Sequence, residues 1–400
     1  MKVNLVFVVF CLFLGSASAQ QGKSKYINIQ NGRLSYVPDQ YGNVIPDFSK
    51  VGYWQNAKQI PNVKVVTTLT ANGVDDQQRI QSAIDELSKR PANTDGFRGA
   101  ILLKKGTYKI PESIKITRSG IVLRGEGDET KLLGTGKGQR KLIAATGTGR
   151  AVELPNSRVK ITDKYVPVGS KSFTLNSTKG LSVGDEIMVF RPGTDQWIKD
   201  LKMDQIDAKE GTVQWKASDY DLTFERTITQ IKGNTVFIDN PIVMAMEDQY
   251  GGGEVYRFTF DGRIAEVGVE DLLLESEYDG DVDEDHAWEA VSFNRIKNSW
   301  VKGVTSKHFG FSCVNLGGES KQITVLDCKS LAPKSIITGS RRYSFNNDGQ
   351  LNLFVNCFAS EGRHDFVTGA KVRGPNVFFN CVAKDAKADI GPHHRWSVGT

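Results

Sequence analysis

The chain has five histidines, His286, His308, His364, His393 and His394, and all lie in its last 115 residues. Histidine is the side chain whose ordinary pKa falls nearest neutrality, so such clustering is the first place to look for proton transfer. Any one of the five is more often a plain polar residue of a β-rich domain than a catalyst. Read together with Arg341, Arg342, Arg363 and Arg395, they read as a site. Two stretches carry most of it, Arg363-His364-Asp365-Phe366 and Gly391-Pro392-His393-His394-Arg395-Trp396.

Charge points the same way. The formal net charge is +5. From His286 to Thr400 there are fifteen Lys and Arg against eight Asp and Glu, a local excess of +7, so the rest of the chain sums to −2. A basic surface favours an anionic partner. No nucleic-acid-binding motif is present, so an acidic polysaccharide is the expected partner and nucleic acid is not.

The first nineteen residues read as a cleavable signal peptide. Lys2 is the positive start, Val3 to Gly15 the apolar core, and Ser16-Ala17-Ser18-Ala19 the small residues before cleavage ahead of Gln20. The apolar run is short for a membrane span and no later stretch is long enough, so membrane insertion is not expected. A secreted or periplasmic monomer is the expectation.

The elements that must position these side chains are short strands. Residues 20–70 read as an extended leader. A helix follows, with Asp75 or Asp76 as its cap and Ile80, Ala83, Ile84 and Leu87 on one face. Gly99-Ala100-Ile101-Leu102-Leu103, Ser113-Ile114-Lys115-Ile116 and Ile121-Val122-Leu123 read as strands between turns. Residues 160–250 break the pattern and read as a small inserted β module. Its Trp197, Trp215, Tyr220 and Phe224 are read first as the module's own core and second as sugar-stacking platforms.

From residue 263 a repeat is countable. Val269-Glu270-Asp271-Leu272, Val301-Lys302-Gly303-Val304, Val325-Leu326-Asp327-Cys328, Phe354-Val355-Asn356-Cys357 and Phe378-Phe379-Asn380-Cys381 align. Their last column recurs at intervals of 32, 24, 29 and 24 residues. The third column, Asp, Gly, Asp, Asn, Asn, is made of turn formers. The fourth suits stacking inside a solenoid, and its cysteines read as buried thiols rather than disulfides.

The runs NGVDDQQRIQSAIDEL (72–87), GAILLKKGTYKI (99–110) and SIKITRSGIVLRGEGDETKLLGTG (113–136) resemble the N-terminal cap and first coils of the pectin/pectate-lyase-like superfamily. That resemblance implies an all-β fold, a right-handed parallel β-helix whose end is closed by the helix, with cap and first coils over 71–159 and further coils over 251–400. It also implies a secreted protein acting on polysaccharide.

In such a solenoid, residues at a fixed offset from the stacked column fall on one side. Counting on from each repeat collects His286, Arg341-Arg342, Lys371 with Arg373, and His393-His394 into a basic stripe, with His308 and Arg363-His364 beside it. The expectation is a groove for a polyanion. His364, His393, His394, Arg342 and Arg363 are its candidate catalytic residues. Arg341, Arg373, Arg395, Lys371, His286, His308, Tyr343 and Trp396 are its candidate substrate contacts. Cleaving a uronate chain by β-elimination requires a base for the C5 proton, an acid for the departing oxygen and a cation on the carboxylate. Arginines suit the last task by bidentate pairing, and the histidines and Tyr343 the others. The aspartate ladder of calcium-dependent pectate lyases is not recognisable, so no metal ligands are assigned and Ca²⁺ is left open. The run Asp279, Asp281, Asp283, Glu284, Asp285 fails the EF-hand pattern and reads equally as a solvated loop or a Ca²⁺ site. Two further readings stand beside the lyase. One is a glycoside hydrolase using Asp285 with Asp365 or Asp348, and the other a binding or adhesion β-helix without catalysis. Nothing caps the last coil before Thr400, so a longer native chain is expected.

Overall fold

The computed structural model describes residues 24–209, 211–394, 396 and 398–400, so the signal-peptide reading and Arg395 lie outside the described residues. The main body is a solenoid of parallel strands in three stacks. Each coil contributes one strand to each stack. Three successive coils run Ile296–Lys302, Thr305–Lys307, Ser312–Leu316, then Ser320–Leu326, Lys329–Leu331, Phe345–Asn347, then Leu353–Val355, Phe358–Ser360, Phe366–Thr368. Every pairing between these coils is parallel and in register.

Register turns the repeated letters into columns. In the first stack Leu123, Val269, Val301, Val325, Phe354 and Phe378 pair in succession. In the third stack Ile143, Val291, Val314, Phe345 and Phe366 do the same. Both columns point inward and merge in one apolar core. Parallel strands about 4.8 Å apart bring like side chains into contact, and the aromatic members stack. Phe345 and Phe366 have ring centroids 5.2 Å apart, and Phe354 and Phe378 4.5 Å.

The turn-former column has a specific cause. Asp271, Gly303, Asp327, Asn356 and Asn380 all have positive φ, between 51° and 62°. The chain passes from first to second stack through one left-handed residue, a conformation that Gly, Asn and Asp tolerate best. The side chains then ladder, Asn380 Nδ2 donating to Asn356 Oδ1 at 2.7 Å and Asn356 Nδ2 to Asp327 Oδ1 at 3.2 Å. Asn356→Val is therefore expected to cost about 2 kcal/mol in urea unfolding, from the strained left-handed β-branched residue and the lost amide contacts. A midpoint equal to wild type would refute this reading of the column. Next to it, Cys328 and Cys357 are buried and Cys381 half-buried, and these thiols, like that of Cys313, are free.

The helix Asp76–Lys89 buries Ile80, Ile84 and Leu87 in the solenoid core, against strands Gly106–Ile110 and Ile114–Ile116. Asp76 fixes its start by accepting from the backbone N–H groups of Asn72 at 2.8 Å, Gly73 at 2.9 Å and Lys109 at 3.1 Å. Between Val152–Glu153 and Glu254–Thr259 the pairing is antiparallel, around strands Glu186–Arg191 and Leu222–Lys232. This sheet has its own core, with Val189, Phe224 and Val255 buried in it. Trp197 and Tyr220 are buried with Trp215 in an adjoining cluster, which is the core role the sequence favoured for them.

Candidate active site

The loops joining second to third stack are residues 277–286, 308–311, 332–344, 361–365 and 385–390 on consecutive coils. One corner of the solenoid therefore carries His286, His308, Arg341-Arg342, Tyr343, Arg363-His364 and Asp389. His393 and His394 follow the last short strand, Gly391–Pro392, and fold back to this corner.

At its far end Tyr343, Arg363, His364, His393 and Asp389 converge. The His364 and His393 rings lie 3.7 Å apart between centroids, and the Tyr343 ring lies 5.1 Å from the first and 5.9 Å from the second. Arg363 Nη1 donates to the Tyr343 hydroxyl at 3.5 Å. The Asp389 carboxylate faces both imidazoles, its Oδ2 3.1 Å from His393 Nδ1 and its Oδ1 3.4 Å from His364 Nδ1. His364 is fully buried, its Nδ1 lies 2.8 Å from the Asp389 carbonyl oxygen, and its Nε2 has no partner among the described residues. The ring of His393 is partly open to solvent. The exposed His394 ring is 4.6 Å from that of His393 and 6.2 Å from that of Tyr343.

A carboxylate on Nδ1 fixes an imidazole's tautomer and leaves Nε2 to accept a proton. His393 has that arrangement and is reachable. Burial holds the His364 pKa below the ordinary 6.5, with the neighbouring His393 acting in the same direction and the Asp389 carbonyl against both. His308 is also held below 6.5, chiefly by burial, against the pull of Glu275. The unfolded chain protonates at 6.5 where these folded groups resist. Their contribution to stability is therefore full above pH 6.5 and is lost as the pH falls below it. Melting temperature is expected to drop between pH 7 and pH 5, and His364→Gln should flatten that drop. A slope unchanged in the variant would exclude His364 as a source.

The other predicted residues are placed differently. Arg341 pairs with Glu284, at 2.6 and 3.0 Å. Arg342 is buried, its guanidinium turned into the loop to donate to the Ser335 and Asp281 carbonyls and the Ser335 hydroxyl. It is thus not presented to a groove. Lys371 and Arg373 sit at a different corner, against the antiparallel module: Arg373 donates to Thr223 Oγ1 at 2.9 Å and Gly318 O at 3.1 Å, and Lys371 lies over the Tyr220 ring. Trp396 packs on Trp197 with centroids 4.6 Å apart. The single stripe expected from fixed offsets is therefore divided between two corners, because the loops of successive coils differ in length.

His286 and His308 line a groove of about 410 Å³ at the near end of the histidine corner, with Tyr278, Glu275, Asp279 and Asp285. His286 is buried and fully engaged, with Ser276 Oγ at 3.0 Å on Nδ1 and the Lys334 carbonyl at 3.0 Å on Nε2. The acidic run is satisfied locally. Asp283 accepts from the backbone N–H groups of Asp279 and Asp285, both at 2.8 Å, and Asp281 pairs with Lys334 at 2.6 Å. Its oxygens do not converge as the six to eight ligands of Ca²⁺ must. The hydrolase pair is not assembled either. Asp285 accepts from Gly138 N, Asp365 is buried and accepts from Ser344 Oγ, and Asp348 bonds Asn346 at the far end of the third stack. Among the described residues, the group able to hold a metal ion is His364, Asp389 and His393, whose ligand atoms lie within 4.8 Å of one another. Its two nitrogens suit a transition metal more than calcium. Asp389 and Lys334 were not singled out from the sequence; the signal for Asp389 was its place four residues before His393.

No family model and no curated protein matches the chain. Solved structures similar to it include the tailspike protein gp49 from Pseudomonas phage LKA1, at 16% identity and TM-score 0.35, over 76% of this chain and 56% of that one. The alginate lyase from Paenibacillus sp. str. FPU-7 is similar at 8% identity and TM-score 0.35, over 80% and 76%. The catalytic domain of a GH87 alpha-1,3-glucanase is similar at 10% and 0.30, over 82% and 40%. The chain thus spans little more than half the length of the tailspike. This chain is a parallel β-helix. The strand register carries that statement.

Proposed function

We propose that the protein is a secreted polysaccharide lyase that cleaves an acidic, uronate-containing polymer by β-elimination, on a right-handed β-helix capped by helix Asp76–Lys89. The observation that supports this most is the convergence of an oriented, reachable imidazole, a phenol and a guanidinium at one corner. His393, oriented by Asp389, takes the C5 proton. Tyr343 protonates the departing oxygen, and Arg363 neutralises the carboxylate so that the C5 proton becomes acidic. His364 is the neutral floor on which His393 packs. His286, His308 and the groove they line lie about two to three strand spacings along the axis and receive a neighbouring part of the polymer.

A hydrolase remains the competing reading, because Glu275, Glu277, Asp279 and Asp285 share that groove. Incubation with glycosaminoglycans, pectins and algal uronates separates the readings. Absorbance of an unsaturated uronide is expected, whereas new reducing ends without it would mark hydrolysis. Polymer retained but not cut would mark a binding protein.

A further inference from the structure

A second corner of the solenoid, away from the histidines, carries a cavity of about 430 Å³ between leader, coils and inserted sheet. Its floor is built from three consecutive coils. Glu266, Asn298 and Gln322 stack in register, each at positive φ (58°, 47° and 59°), and each is almost fully buried. The Asn298 side-chain oxygen is buried without a hydrogen-bond partner among the described residues. A buried carbonyl oxygen left without a donor is uncommon and calls for a ligand or a water.

The roof is Trp54 and Gln55. With Asn56 they form three successive non-glycine residues in the left-handed region, at φ 47°, 55° and 60°. L-residues avoid such runs, so the surroundings must hold this one in place. They do so from the cavity side. Tyr53 Oη donates to Glu266 Oε2 at 2.6 Å and Trp54 Nε1 to Glu266 Oε1 at 2.8 Å. Gly52 closes onto the coils so tightly that a Cβ there would meet Thr324 Oγ1 at 2.5 Å. Trp54 nevertheless stays 39% exposed, with the Lys58 ammonium 3.8 Å from its ring centroid. An indole is thus held at the rim of a polar cavity by a strained turn.

The lining chemistry selects a ligand class. Amides both donate and accept, as hydroxyl groups do, and an indole offers an apolar face to the C–H face of a sugar ring. Charge argues against an anion. Glu186 is already compensated by Lys297 at 3.0 Å and Lys321 at 3.3 Å, while Glu266 receives only neutral donors. Both Glu266 oxygens accept, so it has no proton arranged for a leaving group. We propose that this cavity is a non-catalytic binding site for a neutral, hydroxyl-rich saccharide, formed by Trp54, Gln55, Asn298 and Gln322 and separate from the histidine corner.

The test uses the full chain and calorimetric titration with neutral oligosaccharides, namely malto-, cello-, manno-, xylo- and galacto-hexaose. Binding of at least one is expected, with quenching of indole fluorescence. Trp54→Phe keeps the packing but removes the N–H and part of the surface, and Gln322→Ala removes a floor amide. Each should weaken binding about tenfold, the loss of roughly one good contact. Both variants should still melt in one cooperative transition, Trp54→Phe at a somewhat lower temperature for the lost bond to Glu266, and both should keep wild-type action on uronate polymers. Failure of all five sugars to bind, or equal affinity in both folded variants, overturns the site. The readout is binding, so it stands whether or not uronate cleavage is found.

Discussion

His393→Ala is expected to lower kcat on a uronate polymer by about 10²–10⁴, the usual worth of a positioned general base, with little change in KM. The expectation rests on position more than on residue type. Of the two imidazoles beside Asp389, His364 is fully buried with Nδ1 on a backbone carbonyl, and His393 is open on one side with Nδ1 on the carboxylate. Asp389→Asn replaces that acceptor by an amide that can present an N–H instead, freeing the other tautomer. It should lower kcat, with folding unchanged. Tyr343→Phe should cost a comparable factor if the phenol protonates the leaving oxygen. Single-turnover production of unsaturated uronide in the three variants is the measurement. A His393→Ala enzyme that turns over at the wild-type rate would remove His393 from the chemistry, and a change confined to KM would make it a binding residue.

The coils were legible in the sequence because each has to solve the same problem at the same place. A chain leaving one parallel stack for the next needs a left-handed residue, and Asp271, Gly303, Asp327, Asn356 and Asn380 answer that need with the residue types that tolerate it. The inward columns followed from the same alignment. The site was legible only as a neighbourhood. His286, His308 and Arg363-His364 do share a corner, but counting residues could not show it, since the loops there range from 308–311 to 332–344. Nor does a sequence tell an arginine that meets substrate from one that meets carbonyls. Arg342 and Arg373 are both drawn inside by backbone oxygens of loops distant in the chain. The +7 excess from His286 onward pointed to a basic surface, yet Arg341 and Lys334 are neutralised locally by Glu284 and Asp281. Trp396 adjoins the histidines in sequence and packs in the inserted module in space.

The antiparallel sheet is itself held to the coils by charge, and this predicts the largest stability effect. Glu225, buried on strand Leu222–Lys232, receives Arg263 Nη1 at 2.8 Å on each oxygen and Lys321 Nζ at 2.7 Å. Burial alone would push its carboxyl up, but Lys321 and Arg263 outweigh it and hold the pKa down at about 2. Glu225→Gln leaves two buried cations facing a neutral amide. Lys321 keeps the partly exposed Glu186 at 3.3 Å, while Arg263 loses its salt-bridge partner. Removing one partner of a buried pair costs about 3–5 kcal/mol, so Glu225→Gln is expected to fall in that range in urea unfolding at pH 7. Lys321→Met should cost less, because Arg263 still holds the carboxylate. Replacing Glu225, Arg263 and Lys321 together by methionine should recover much of the loss, since an apolar trio of similar volume leaves none of these three charges behind unpaired. The pH dependence has a definite sign. A carboxyl with a depressed folded pKa contributes stability above its unfolded value of 4.5 and loses it as the pH falls through about 2. The gap between wild type and Glu225→Gln should therefore be constant near neutrality and close progressively below pH 4.5. A gap that persists at pH 2 would mean that the amide disrupts packing rather than charge.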